Sequence, residues 1–219
     1  LVFAALLSGG CLKCDLLLDL NKNGSGALEV TYSISENAVA QLNAMVKLSQ
    51  QLESLSADVK EDSLKDPDIM LFLDPDEEVI RKRLAQYEKS GLKVDKLRVK
   101  SRNAWRTVDL RLEFSDIAEL ARTDFFPDIG FSIYRRRTGD YVFFRKNMNA
   151  ANPNKDILSS PEAQRLINPI LTGFSVNVKV RTPGRILETN AHSHGLNSAT
   201  WSFDQDKDPK AFQALQNQE

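Results

Sequence analysis

Apolar and polar residues alternate along much of this chain, and the alternating runs are separated by stretches with helical spacing. Leu12, Cys14, Leu16, Leu18 and Leu20 face one way and Lys13, Asp15 and Asp19 the other, which predicts a half-buried strand ending near Asn21. Lys22-Asn23-Gly24-Ser25-Gly26 supplies residues that tolerate positive φ. Alternation then resumes with Leu28, Val30, Tyr32 and Ile34 against Glu29, Thr31, Ser33 and Ser35, so the two runs form a β-hairpin. From 37 to 55, Val39, Leu42, Met45, Val46, Leu48 and Leu52 recur at three and four, the spacing of a helix. Residues 56–67 are polar and aperiodic and read as a loop. Asp74-Pro75 followed by Asp76, Glu77 and Glu78 has the signature of a helix N-terminus, with Asp74 as the cap and Gly91 as the stop after Ser90.

A second hairpin joins 92–102 to 107–114 across Asn103-Ala104, with a phase slip at Asp95-Lys96 that predicts a bulge. A short helix over 116–122 follows. A third hairpin pairs 130–136 with 141–146, and Ser160-Pro161-Glu162 opens a helix to Leu171. Phe174, Val176, Val178 and Val180 mark another strand, and 186–190 with 199–203 make a last hairpin before a terminal helix over 209–215. Hairpins alternating with single helices predict an α+β fold, an antiparallel sheet built from hairpins with helices packed on one face. Its core should hold Leu16, Leu18, Val30, Ile34, Leu110, Leu112, Val176, Val178, Trp201 and Phe203. Trp105, at a strand start, reads the same way.

Ahead of the first strand the pattern changes. Leu1 to Leu7 is an uncharged apolar run, followed by Ser8, Gly9, Gly10 and Cys11. The run is too short to cross a bilayer, which takes about 20 apolar residues. An apolar run ending in small residues is the tail of a secretory signal peptide. Small residues directly before a cysteine resemble the bacterial lipobox, whose thiol is diacylated before the peptide is cut ahead of it. The expected organisation is therefore a signal-peptide remnant over 1–10 and one α+β lipoprotein domain over 11–219, with Cys11 as the lipidated residue.

Composition narrows the functional classes. The 219 residues carry 29 Lys and Arg against 30 Asp and Glu, a net charge of -1, which argues against a general polyanion binder, and no nucleic-acid partner is expected, while a local basic patch stays open. With two cysteines in all, lipidation of Cys11 leaves Cys14 as the remaining thiol, and no disulfide scaffold is expected.

A family resemblance lies in two stretches. The lipobox cysteine leads into an apolar strand, Asn-Gly-Ser-Gly and a second strand. Residues 178–190, Val-Lys-Val-Arg-Thr-Pro-Gly-Arg-Ile-Leu-Glu-Thr-Asn, lead to Ala-Thr-Trp-Ser-Phe-Asp at 199–204. Together they resemble the LppM-type bacterial envelope lipoproteins over about 11–35 and 174–206. That resemblance implies a role at the envelope surface, binding lipids or lipoglycans, without established catalysis.

The chemistry-bearing motifs are sparse. Asp19, Asn21, Asn23 and Gly24 match the first half of a calcium loop, but Val30 fills the place of the bidentate Glu, so a hairpin turn is the better reading. Asp204, Asp206 and Asp208 fail the same test. Cys11 and Cys14 have no second pair to complete a metal knuckle, and His192 and His194 are too few for zinc. No cofactor fingerprint occurs and no catalytic or metal site is expected.

The basic residues are less bland. Lys93, Lys96, Arg98, Lys100, Arg102, Arg106 and Arg111 crowd the second hairpin, and Arg135, Arg136, Arg137, Arg145 and Lys146 the third. Lys93, Arg98, Lys100, Arg106, Arg111 and Arg136 are the candidates for one exposed face that meets anionic lipid headgroups or a polyanionic glycan. A solubilising face that protects an edge strand is the plainer alternative. The sequence thus points to a non-enzymatic, lipid-anchored protein on the extracytoplasmic side of the bacterial envelope, binding a lipid, a glycopolymer or a protein partner. A structural adaptor and an envelope hydrolase are its rivals.

Overall fold

The computed structural model describes residues 12–41, 43–44, 71–121, 129–137, 141–147 and 172–217. Its elements are β1 (Leu12–Leu20), β2 (Gly26–Ser35), α1 (Glu77–Ala85), β3 (Leu92–Arg102), β4 (Trp105–Phe114), α2 (Ala118–Ala121), β5 (Ile129–Arg135), β6 (Tyr141–Asn147), β7 (Ser175–Arg181), β8 (Ser193–His194), β9 (Ser198–Asp204) and α3 (Ala211–Asn217). Seven strands form one sheet in the order β3-β4-β2-β1-β7-β9-β8, and β5 and β6 pair as a separate ribbon.

The turn chemistry decides the hairpins. Between β1 and β2 the Asn21 N–H donates to the Ser25 carbonyl at 2.8 Å, and Gly24 takes φ 86°, as the Asn-Gly pattern anticipates. Asn103 and Ala104 both have positive φ, 53° and 60°, which joins β3 to β4 by the tightest kind of hairpin turn. The bulge falls where the phase slips, between Val94 and Lys96.

The alternation also fixes which face is dry. Leu18, Leu20, Leu28, Ile34, Val108, Leu112, Phe114, Val176, Val180 and Phe203 are buried on one face of the sheet. Ile80 and Leu84 of α1, Ile117 and Leu120 around α2, and Ala211 of α3 pack on that same face. The sheet and its helices are thus an α+β arrangement with the described helices on one side.

Four local expectations are corrected. The cap of α1 is Asp76, whose Oδ1 accepts from the Val79 N–H at 2.9 Å, rather than Asp74. The helix ends at Ala85, and a 3-10 turn over Glu88–Ser90 completes the run before Gly91, at φ 98°. Residues 186–190 form no strand; β9 takes β7 as its long partner and only Ser193 and His194 as its second. The sheet is not wholly antiparallel, because β1 runs parallel to β7, with Leu16 beside Val178. A parallel neighbour leaves no turn signature in the sequence. Of the helix expected over 37–55, residues 36–41 and 43–44 are helical and the remainder lies outside the described residues, as does the helix expected over 160–171.

One sheet edge is closed by side chains. The free backbone of β3 faces α1, where Glu77 Oε2 accepts from the Val99 N–H at 3.1 Å and Arg81 Nη2 donates to the Leu97 carbonyl at 3.4 Å. The other edge, β8, is two residues long. Short or covered edges are how sheets avoid pairing with other chains.

Candidate functional site

On the face away from the helices, β3 presents Lys93, Lys96, Arg98, Lys100 and Arg102 in register with Glu113, Arg111, Asp109, Thr107 and Trp105 of β4. Glu29, Thr31 and Ser33 of β2 continue these rows, and Asp15, Asp19, Asn177 and Arg181 carry the polar face on to β1 and β7. The result is an interleaved lattice of both signs. Lys93 lies 3.9 Å from Glu113, and Asp109 serves two lysines, Lys96 at 3.9 Å and Lys100 at 3.1 Å. Arg111 bridges Glu29 and Asp95, and Arg181 meets Asp19 at 3.3 Å. Partial desolvation raises the Asp109 pKa, but the Lys100 hydrogen bond and the charges of Lys100 and Lys96 outweigh it, so the carboxyl sits below its ordinary value.

The candidate cations therefore divide. Lys93, Arg98, Lys100 and Arg111 share the outer face, as the alternation predicts. Arg106 does not: it is in phase with the core residues of β4, opposite Ile34, and its guanidinium pairs with Asp74 on the helix side. The period of two places every even position of β4 on the dry face, and at the strand's first turn that position holds an arginine. Arg136 lies at the end of β5 in the separate ribbon, 4.0 Å from Glu188. On β3, Arg98 and Arg102 make no ion pair among the described residues and are exposed. Cys11 lies outside the described residues, which begin at its neighbour Leu12.

Trp105 is not a core residue. It stands half-buried on the outer face, with Lys13 Nζ 5.6 Å from its ring centroid. The sequence carried a signal for this: Trp105 is in phase with Thr107 and Asp109, not with Val108 and Leu110.

The dry face has its own irregularity. Leu110, Val30, Leu16, Val178 and Trp201 form one row across β4, β2, β1, β7 and β9, and each is only partly buried, although Leu112, Leu28, Leu18, Val180 and Ala199 in the next row are buried. The two core clusters meet at Trp201, whose indole Nε1 is buried and has no partner among the described residues. One row further on, Cys14 opposes Tyr32, and Phe72 stacks on Tyr32 at 5.0 Å. Burial first, and Asp15 second, push the Cys14 thiol up to about 11; burial and then Cys14 push Tyr32 up to about 12. Such a thiol is unreactive at neutral pH.

His192 Nδ1 accepts from the Ser202 N–H at 3.0 Å, a structural contact. Among the described residues no group of three or more His, Cys, Asp or Glu converges on a metal position, and no helix is long and apolar enough to cross a membrane.

These features define a class in structural terms: an α+β protein whose sheet has the described helices on one face and a lattice of charged side chains on the other. No family model matches the chain, and no curated protein does. Among solved structures it aligns with the NMR structure of the folded domain of Mycobacterium tuberculosis LppM, at 10% sequence identity and a TM-score of 0.39, over 90% of this chain and 84% of that one. A superposition this loose leaves function to be argued from the chain's own residues.

Proposed function

We propose that this chain is a lipid-anchored protein of the bacterial envelope, non-enzymatic, whose domain stands on the extracytoplasmic side and binds anionic lipid or glycopolymer through the outer face of its sheet. The observation that carries this reading is the order of the N-terminal residues. The apolar run Leu1–Leu7, the small residues Ser8-Gly9-Gly10 and Cys11 come directly before Leu12, the first residue of β1. Cleavage before Cys11 would put the lipid one residue from a central strand of the fold. Supporting the surface role are Arg98 and Arg102, exposed and without an ion pair within 4 Å among the described residues, though Arg98 lies in the field of Glu77, and the partly paired Lys93, Lys96 and Lys100 along β3. Cations near an anionic membrane contribute about 1 kcal/mol each, attenuated over a Debye length. The ion pairs lower that figure for the lysines.

Replacing Cys11 with Ser tests the anchor. In fractionated cells the variant should leave the membrane pellet and lose the mass of the acyl groups; retention in the pellet at unchanged mass refutes it. For the surface, a non-lipidated chain should cosediment with anionic but not neutral vesicles and detach as salt rises. That chain must keep Leu12, Lys13 and Cys14, because β1 is paired on both sides from its first turn. Equal binding to both vesicle types would leave only the solubilising role.

A second reading is favoured by the half-buried row ending in Trp201: an acyl chain held against Leu16, Val30, Leu110 and Val178 on the helix side. A fluorescent fatty acid that quenches Trp201 at micromolar concentration would support it, and unaltered Trp201 emission would remove it.

A further inference from the structure

The strand register fixes which end of the domain the proposed anchor holds. Leu12 pairs with Ile34, and the next residue of β2, Ser35, pairs with Trp105, which in turn pairs with Arg102. Cys11 is bonded to Leu12, so its Cα is about 3.8 Å from that of Leu12 whatever path the chain takes. Neighbouring strands are about 4.8 Å apart, which puts Trp105 about 10 Å and Arg102 about 15 Å across the sheet from Leu12, at the same end. At about 3.3 Å per residue, Leu20 at the other end of β1 is about 26 Å away. A headgroup layer is about 5–7 Å deep, so a lipid on Cys11 brings the first end into its reach, Arg102 ahead of Lys93 at the far end of β3.

That end is not uniform. The β3–β4 side carries Arg102, Trp105, Lys13 over its ring and one exposed carboxylate, Glu36, whose N–H donates to the Ala104 carbonyl; the β9 side carries Asp204, Asp206 and Asp208 with Lys207 and Lys210, Lys207 pairing with Asp204 at 2.7 Å, so the first side is net basic and the second net acidic. Arg102 is exposed with no ion pair among the described residues, Lys13 is exposed above the indole, and Asn103 and Ala104 of the turn are exposed beside them. An amphipathic indole flanked by cations suits the boundary between headgroups and acyl chains, whereas the aspartates are repelled by an anionic surface.

We propose that the β3–β4 turn is the membrane-contacting corner of the domain, with Trp105 seated at headgroup depth, Lys13 and Arg102 on anionic headgroups, and the Asp204–Asp208 segment tipped away. The proposal rests on Cys11 being the point of lipid attachment, and the test separates the two. A chain beginning at Cys11, with Cys14→Val to leave one thiol and Trp201→Phe to leave one indole, is joined to a maleimide phospholipid. It is then placed in vesicles of phosphatidylcholine and phosphatidylglycerol with brominated acyl chains. Trp105 emission should fall at least twofold relative to unbrominated vesicles, and Arg102→Glu should reduce that quenching in anionic but not in neutral vesicles.

Leu196, exposed at the opposite end of the sheet, provides the competing probe. In a chain with Trp105→Phe, Trp201→Phe and Leu196→Trp, emission should be unchanged by bromine. Unquenched Trp105, or quenching at 196 instead, overturns the proposed orientation. Because the lipid is attached chemically, these results do not depend on what the cell does to Cys11. The mass of Cys11 in the native membrane fraction decides that question separately.

Discussion

Gly26 begins β2 at a point where three strands crowd together. It pairs with Leu20 of β1 and with Phe114 of β4. A Cβ built there would lie 2.0 Å from the Asp19 carbonyl oxygen and 2.8 Å from Phe114 Cζ. The ring could rotate away, but the carbonyl belongs to the backbone of a strand paired on both sides. Cβ atoms essentially never come within 3.0 Å of another heavy atom, so Gly26→Ala must move the Asp19 backbone or its own by at least about 1 Å. Overpacking a well-packed interior costs about 1–3 kcal/mol. The upper end applies here, because relief must also loosen Phe114, which is 3% exposed and one of the core residues on which α1 and α2 pack. A loss of about 3 kcal/mol is a large share of the roughly 5–15 kcal/mol by which domains are stable. Urea unfolding followed by tryptophan emission measures it, with Gly184→Ala as the control, since a Cβ there meets nothing within 4 Å. A Gly26→Ala midpoint within about 0.5 kcal/mol of the parent would show that the start of β2 is not held as described.

Alkaline pH should destabilise the fold from about pH 9: the unfolded Cys14 thiol ionises near its ordinary 9.0, while the folded thiol stays protonated to about 11, so stability is full below the first value and falls toward the second. Urea midpoints across that range should fall less in Cys14→Val, and an equal fall would refute the account. At acid pH the sign reverses for Asp109, whose lowered pKa gives stability that is present above the ordinary carboxylate value and lost as pH drops through the folded one; Asp109→Asn should flatten the acid limb of the same titration. Trp201→Ala should cost about 2 kcal/mol, below the 3–5 typical of a fully buried aromatic, because the ring is half-buried and its indole N–H has no partner among the described residues to lose; a thermal melt reads it.

What was legible in the sequence was local. Period-two alternation gave β1, β2, β4 and β7 their faces, and Asn23-Gly24 and Asn103-Ala104 gave their turns. The phase slip at Asp95 gave the bulge. Contacts made across long stretches of chain were not legible. Nothing near Leu12 announces that its strand will lie beside β7, and nothing near Ile186 says that β9 has a better partner than its sequence neighbour. The candidate site shows the same division. Lys93, Arg98, Lys100 and Arg111 could be placed on one face by counting in twos, whereas the carboxylates that meet Lys93, Lys100 and Arg111 come from β2, β3 and β4 and emerge only with the register. Arg106 departs from the candidate face because phase outweighs composition: its even position in β4 puts it on the helix side.

The parallel seam between β1 and β7 joins residues 162 apart, as in the Asn177–Asp15 hydrogen bond at 2.9 Å. Until β7 has emerged, the hairpin of β1 and β2 has an open flank, on which alternate residues of Leu12–Leu20, the most apolar strand of the sheet, leave their backbone groups unpaired. The earliest strand of this sheet in chain order is thus among the last to be enclosed, and long-range closure of this kind folds slowly. A protein secured by its N-terminus at a membrane would hold that unfinished strand at the site of emergence throughout. Chains that stop before Ser175 should therefore not yield a smaller stable domain but associate through β1, which size-exclusion chromatography would show; a monomeric, cooperatively unfolding fragment would refute this.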